Sequence, residues 1–321
     1  MGDRHMDDWD AAHTCLVTVT YGNRAHLLDQ CLEAALGQNR VGRAIVVRNG
    51  PVPGIDDVLR RWAGRIEGIG FARNVGSAKA FAAGIEAALR GDSRFFVLLD
   101  DDNIIAPGGV NALLSEIRTD PEGMRHPERL AALGWRHEGA SFADVPARSS
   151  FLNFRLGRKP GRRETAAALP FAPYGGLLAH RDLFAAIGLP RPDMVLYADD
   201  TEYTSRIVKA GGRIAPVEAC KICDADQSWN RAAVTTSYLV RLLEEGSDFR
   251  VYYSIRNRVW FDSRLYVRNY AVYALNALVF CASLAVVMVR RRRFARGAVL
   301  ARAIAHGLLG RLGANPAFPL P

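Results

Sequence analysis

The stretch FFVLLDDDN, residues 95–103, runs five apolar residues straight into three adjacent aspartates. A short apolar run bounded by polar residues reads as a buried strand. Three carboxylates at its C-terminal end repel one another, so they must either lie in water or share a positive partner. In an extended segment Asp100 and Asp102 point to the same face, where they could share one divalent ion and a diphosphate. The plain alternative is a solvated acidic turn.

Upstream, the same rhythm recurs three times. CLVTVTY precedes a helical pattern over Arg24–Leu36, AIVVRN precedes Ile55–Ala63, and IEGIGF precedes Ser77–Leu89. Strand and helix alternating at this spacing predict βαβ units and a parallel sheet. Right-handed crossovers then place every strand's C-terminal end on one rim. Four polar segments, 20–23, 48–51, 74–77 and 100–103, fall at those ends and are expected to converge on one crevice.

Composition sets the class. At 321 residues, with 49 % hydrophobic and 23 % charged content, the chain is an ordinary globular sequence. Its formal net charge of +9 suits an anionic partner. Nucleic acid is not the expected one: no nucleic-acid motif is present, and the arginines concentrate in one loop and one tail. Five scattered cysteines point to a reducing cytoplasm. Cys220 and Cys223 form a CxxC, but no second ligand pair follows, so zinc is not expected. Residues 1–13, opening on MGDRHM, read as a tag and a disordered N-terminus.

Beyond the aspartates, residues 136–170 are rich in arginine and carry no clear period, which reads as a long functional loop beside the crevice. PYGGLLAHRDLFAAIGLP restores order with a short apolar stretch and a helix. LYADDTEYTSRIVKAGG then places a second acidic pair, Asp199 and Asp200, at a helix start, where one of them is expected to cap the helix. From Tyr252 the pattern is helical. It includes an apolar run from Tyr270 to Val289 and a tail from Arg290 with seven arginines and no acid. That run is read either as a helix lying in an anionic cytoplasmic membrane interface or as a buried C-terminal helix.

The ordered set VTVTYGN, VVRNG, NVGSAKAFAAG, LLDDDN, YGGLLAHRDLFAAIGLP, ADDTEYTSRIVKAGG and YYSIRNRVWF resembles the inverting family 2 glycosyltransferases of the GT-A fold. Within them it is most similar to the bacterial branch of rhamnosyl- and galactofuranosyltransferases. The resemblance spans about residues 14–262. It implies an α/β, Rossmann-like, mostly parallel sheet with helices on both faces, plus a C-terminal helical segment. The implied division is a nucleotide-binding half at 14–105, an acceptor and catalytic half at 106–250, and a membrane-associating helical segment at 251–321.

The same resemblance implies Asp200 as catalytic base, and Thr20, Tyr21, Asn49, Asn74, Gly76, Lys79, Asp100 and Asp101 around the nucleotide donor. It places Tyr174, Gly175, Gly176, Asp199 and Glu202 around the sugar and acceptor, and Asp100 and Asp102 on Mg²⁺ or Mn²⁺. A metal-ligand His often found about a dozen residues after the GG is missing, and Asp224 is the natural oxygen substitute. The strand-two end reads Arg48-Asn49 where the family usually has Asp-Asn, so Arg48 is left to meet a phosphate or a carboxylate. Arg256 and Asn257 either hold the pyrophosphate or cap helices, His180 is read as structural, and Trp229 and Trp260 either stack on a sugar or belong to the core.

The implied partners are a UDP- or dTDP-linked sugar, a glycan or lipid-linked acceptor in bacterial surface-glycan synthesis, and the inner face of the cytoplasmic membrane. The alternative is an inactive, glycosyltransferase-like protein that binds sugar nucleotides without turnover, a reading that donor consumption would separate from the first.

Overall fold

The computed structural model of the chain describes residues 14–136, 148–157, 169–226 and 237–321. Much of the arginine-rich stretch, at 137–147 and 158–168, lies outside the described residues, as does Trp229.

Strand β1 (Thr14–Thr20) leads through helix α1 (Ala25–Leu36) to β2 (Val41–Asn49), and α2 (Ile55–Arg61) leads to β3 (Ile66–Phe71). Helix α3 (Ser77–Arg90) then returns the chain to β4 (Phe95–Asp100). These four strands pair in parallel, so their C-terminal ends share one rim. A short β5 (Asn103–Ile105) follows, then α4 (Gly109–Thr119), α5 (Pro121–Arg125), β6 (Leu130–Arg136), β7 (Leu177–His180), α6 (Arg181–Ile187), α7 (Asp199–Lys209) and β8 (Arg213–Asp224). The eight strands form one sheet in the order β3-β2-β1-β4-β7-β6-β8-β5. Strand β7 runs antiparallel to both of its neighbours and β5 runs antiparallel to β8, so the sheet is mostly parallel with two reversed strands.

Alternation along β4 explains why helices cover both faces. Phe95, Val97 and Leu99 pack with Leu28 and Leu32 of α1 and with Val110 and Leu113 of α4. Phe96 and Leu98 turn the other way, onto Phe81 and Ile85 of α3 and Phe184 of α6. A strand with period-2 side chains and no polar face needs cover on both sides. Each buried Phe or Leu contributes about 1.5–3 kcal/mol.

The C-terminal part is helical: α8 (Tyr238–Glu244), α9 (Asp248–Phe261), α10 (Tyr270–Arg291) and α11 (Phe294–Leu309). Tyr252, Tyr253, Ile255 and Val259 of α9 share a core with Leu300 and Ala303 of α11 and with Phe151 and Leu152. Helix α10 is partly covered. It buries a stripe of Tyr273, Asn276, Phe280 and Leu284, spaced three or four residues apart. Asn276, the polar interruption of the run, is itself buried. Its Nδ2 donates to the carbonyl of Ser149 (2.9 Å) and its Oδ1 accepts from the Leu156 N–H (2.9 Å). The opposite face stays exposed, with Leu278 at 68 % and Val289 at 57 % of their full area, and Leu309 of α11 at 64 %. Helix α10 is long and apolar enough to cross a membrane.

Candidate active site

A crevice of about 510 Å³ opens at the common rim. Val19 in β1 and Tyr21 after it, Asn49 at the end of β2, Asn74 before α3 and Ser77 at its start, and the aspartates from the last residue of β4 onward form its first wall. Tyr174 and the segment Leu196–Asp200 form a second, joined to the first where Ser77 bonds Asp199, and Asp224 at the end of β8 and Asp226 beyond it also line the crevice.

On the first wall, Asn49 Nδ2 donates to Asn74 Oδ1 (2.9 Å), while Asn49 Oδ1 accepts from the Val75 N–H (2.8 Å). This amide pair holds the β2 and β3 loops together at the crevice floor. Arg24, in the turn before α1, supplies the positive partner that the aspartate run demands. Its Nε donates to Asp101 Oδ1 and Oδ2 (2.9 and 3.1 Å), and its Nη2 bridges Asp101 Oδ1 (2.8 Å) and Asp102 Oδ2 (2.7 Å). Asp101 is buried, and burial pushes its carboxyl above the ordinary value even with Arg24 against it. The guanidinium also lies 5.5 Å from the centre of the Tyr21 ring.

Asn103 Nδ2 lies 3.2 Å from Asp102 Oδ1 and 3.1 Å from Asp224 Oδ1, so one amide draws these two carboxylates together. The β5–β8 register makes this possible by placing Asn103 opposite Asp224. Asp100, Asp102 and Asp224 are hard oxygen donors of the kind that suit Mg²⁺ or Mn²⁺. Among the described residues no three His, Cys, Asp or Glu side chains are set to hold an ion unaided. An ion held by these carboxylates would need further ligands, such as the phosphate oxygens that commonly complete the shell of Mg²⁺. Cys220 is buried and Cys223 exposed on β8, and they form no metal pair.

The second wall rests on a strained turn. Val195, Tyr197 and Ala198 take φ of +67°, +64° and +55°, a region that costs a non-glycine residue about 1–3 kcal/mol. Asn257 and Arg256 of α9 hold it. Asn257 Nδ2 lies 2.7, 2.8 and 2.8 Å from the carbonyls of Met194, Leu196 and Tyr197. Arg256 Nη2 donates to the Met194 carbonyl (3.0 Å), Arg256 Nη1 to the Gly313 carbonyl (2.5 Å), and Arg256 Nε to Asn257 Oδ1 (2.8 Å). The expected choice between a pyrophosphate clamp and helix caps is thereby corrected. Both side chains are fully buried, and they grip the backbone that delivers Asp199 and Asp200.

Helix α7 starts at Asp199 behind Ala198, with no side-chain cap at its N-terminus. The expectation that Asp199 or Asp200 caps it is not met. Asp200 Oδ1 accepts instead from the N–H (2.6 Å) and Oγ1 (3.2 Å) of Thr201, its immediate neighbour. Asp199 is buried and accepts a hydrogen bond from Ser77 Oγ (2.9 Å). Burial, and secondarily the charge of Asp200, push the Asp199 carboxyl up to about 8. Both causes favour its protonated form. Burial first, and the neighbouring Asp199 and Asp200 after it, push the Tyr174 hydroxyl well up.

Several expected site residues stand elsewhere. Thr20 is fully buried in the sheet. Lys79 is exposed on α3, its Nζ 5.8 Å from the centre of the Phe71 ring. Gly76, at φ +86°, packs where an added Cβ would lie 2.0 Å from the Val195 carbonyl oxygen, and its N–H bonds to Asn74 Oδ1 (3.0 Å). The glycine thus serves packing rather than a phosphate. Gly175 is buried. Gly176 joins the sheet, donating to the Leu98 carbonyl (2.8 Å) and accepting from the Gly134 N–H (2.9 Å). Glu202 turns from the crevice to a two-pronged ion pair with Arg206 (3.1 and 2.7 Å). Arg48 lies across Gly70 of β3, His180 caps α6, and Trp260 is buried beneath Arg191.

Conversely, Arg24, Ser77, Leu196, Tyr197, Asp226, Phe249 and Arg250 border the crevice without having been singled out. Only Ser77 carried a signal, lying in the expected strand-end segment 74–77; Arg24 falls at the start of an expected helix.

This arrangement, a nucleotide-type rim faced by an acidic helix start, is the frame of a sugar-transferring enzyme, and comparison with known proteins agrees. The family model described as glycosyl transferase family 2 matches residues 15–188, more than half of the chain. The chain belongs to that family and is a glycosyltransferase. No curated protein matches it. Among solved structures it is similar to GalNAc-T7 with UDP, GalNAc and Mn²⁺, at 14 % identity and a TM-score of 0.51 over 66 % of this chain. The chain spans only 44 % of that protein's length. It is also similar to the mannosyltransferase PcManGT from Pyrobaculum calidifontis in complex with GDP-Man and Mn²⁺, at 17 % identity and a TM-score of 0.50 over 96 % of this chain and 93 % of that one. These likenesses establish the fold.

Proposed function

We propose that the enzyme moves a sugar from a nucleotide diphosphate to an acceptor hydroxyl in one in-line displacement that inverts the anomeric centre. The observation that carries this reading is that two acidic groups, Asp100–Asp102 and Asp199–Asp200, line one crevice. Asn49, Asn74 and Tyr21 border the side where base and ribose would lie. Asp200 accepts the acceptor's proton. Burial and the Asp200 charge favour the protonated form of Asp199, which lowers the negative charge beside the base. Asp100, Asp102 and Asp224 would hold Mg²⁺ or Mn²⁺, which when bound neutralises the leaving diphosphate. That the two similar structures were solved with Mn²⁺ and a nucleotide or nucleotide sugar supports this assignment.

The donor class we infer is UDP- or dTDP-linked rhamnose or galactofuranose, with a lipid-linked or polysaccharide acceptor in a bacterial surface glycan. Calorimetry with UDP, dTDP and GDP, each with and without Mn²⁺, tests the donor half. One nucleotide should bind in a metal-dependent way, and Asp102→Ala should lose that dependence. Binding to none of them would sink the reading.

We further assign the exposed face of α10 and α11 to the cytoplasmic surface of an anionic membrane. Its apolar residues adjoin the arginine run Arg290–Arg293. The protein should sediment with phosphatidylglycerol vesicles and not with purely zwitterionic ones. Equal sedimentation with both would refute the electrostatic part.

A further inference from the structure

We propose that Arg24 is a built-in counter-ion that occupies the divalent ion's place on Asp102, so that the ion enters only together with the donor's diphosphate. The proposal rests on the reading of Asp102 as a metal ligand.

The geometry is asymmetric in a way that separates a permanent contact from a detachable one. Toward Asp101, which is 3 % exposed, Arg24 makes three close contacts, two through Nε and one through Nη2. Toward Asp102 it makes one, from Nη2 to Oδ2 at 2.7 Å. A longer contact joins Nη1 to Asp226 Oδ2 at 3.4 Å. Asp102 has its other oxygen on the Asn103 amide at 3.2 Å, so both of its oxygens are engaged within the protein. A divalent ion bonds a carboxylate oxygen at about 2.0–2.1 Å. On Oδ2 it would lie beside the guanidinium nitrogen, and the two cations repel each other at that range.

Only the single Nη2–Asp102 contact has to open. The Nε contacts to buried Asp101 keep the side chain anchored, and the Tyr21 ring beside it limits where it can swing. A diphosphate brings the negative charge that makes two neighbouring cations tolerable. Without it, the ion competes with Arg24 for one carboxylate. The expected behaviour is weak binding of the bare metal and strong mutual enhancement between metal and nucleotide.

Titration of the purified full chain with Mn²⁺ alone, followed by electron paramagnetic resonance, tests this without any sugar donor. Arg24→Gln should bind Mn²⁺ at least about tenfold more tightly than the wild type. Because Arg24→Gln strands the buried Asp101 charge and can unfold the protein, the double variant Arg24→Gln/Asp101→Asn provides a second test. It replaces the ion pair by an amide pair and should show the same gain. Adding Asp102→Asn to either should abolish it. Equal Mn²⁺ affinity in wild type and folded double variant overturns the role of Arg24 while leaving the metal site standing. Absence of Mn²⁺ binding in all of them, with UDP, dTDP or GDP present, removes the metal site itself and the proposal with it.

Discussion

Asp200→Asn is expected to lower turnover by a factor of about 10²–10⁴ while leaving nucleotide affinity nearly unchanged. The residue lines the same crevice as the Asn49–Asn74 amide pair and the aspartates Asp100–Asp102. An amide of the same shape keeps the bonds from Thr201 and loses only the ability to take a proton.

The same variant should alter how stability depends on pH. Asp199 is raised from its ordinary 3.8 to about 8, by burial first and by Asp200 second. The unfolded chain gives up that proton near its ordinary value, and the folded chain keeps it until about 8. Folding stability in the wild type therefore falls as pH climbs through that window and levels off above it. Removing the Asp200 charge lowers the upper end of the window, so the decline should be shallower. Melting temperatures measured between pH 4 and 9 give both curves. Wild-type turnover in the variant would move the base elsewhere, and superimposable pH profiles would mean that the two carboxylates do not sense each other.

Asn257→Ala is expected to destabilise the protein by about 2–5 kcal/mol. The carbonyls of Leu196 and Tyr197 lose a donor at once while Met194 keeps Arg256, and the turn that holds Val195, Tyr197 and Ala198 at positive φ loses a restraint. The acceptor side should suffer more than the donor side. In the fraction that folds, turnover should fall while nucleotide binding stays near wild type, because Asn49, Asn74 and the aspartates belong to other loops. Denaturant unfolding gives the first quantity, and calorimetry beside initial rates gives the second. A loss of less than about 1 kcal/mol would show that the turn keeps its shape by other means.

The rim was legible in the sequence because βαβ order is a local pattern. The helices expected at Arg24–Leu36, Ile55–Ala63 and Ser77–Leu89 stand at Ala25–Leu36, Ile55–Arg61 and Ser77–Arg90. The two acidic clusters followed from their places at a strand end and a helix start. What was not legible depends on distance across the fold. Arg24 meets Asp101 across 77 positions, and no spacing rule joins them. The left-handed turn at 195–198 contains Val and Tyr, residues that argue against such a backbone unless something imposes it. What imposes it lies about 60 positions later, at Asn257. The reversed strand β7 is only four residues long, too short for its direction to be written in a periodicity. For α10 the hydropathy was clear, but which stripe is covered depends on the segment around Ser149 and Leu156 docking on Asn276.

The grip of α9 on the turn before Asp199 also sets a timetable for biogenesis. During synthesis, at about 5–20 residues per second, the turn at 194–198 emerges well before Asn257, and the carbonyls of Leu196 and Tyr197 lack their amide donor until that residue arrives. A helix made late thus completes the turn that carries Asp199 and Asp200.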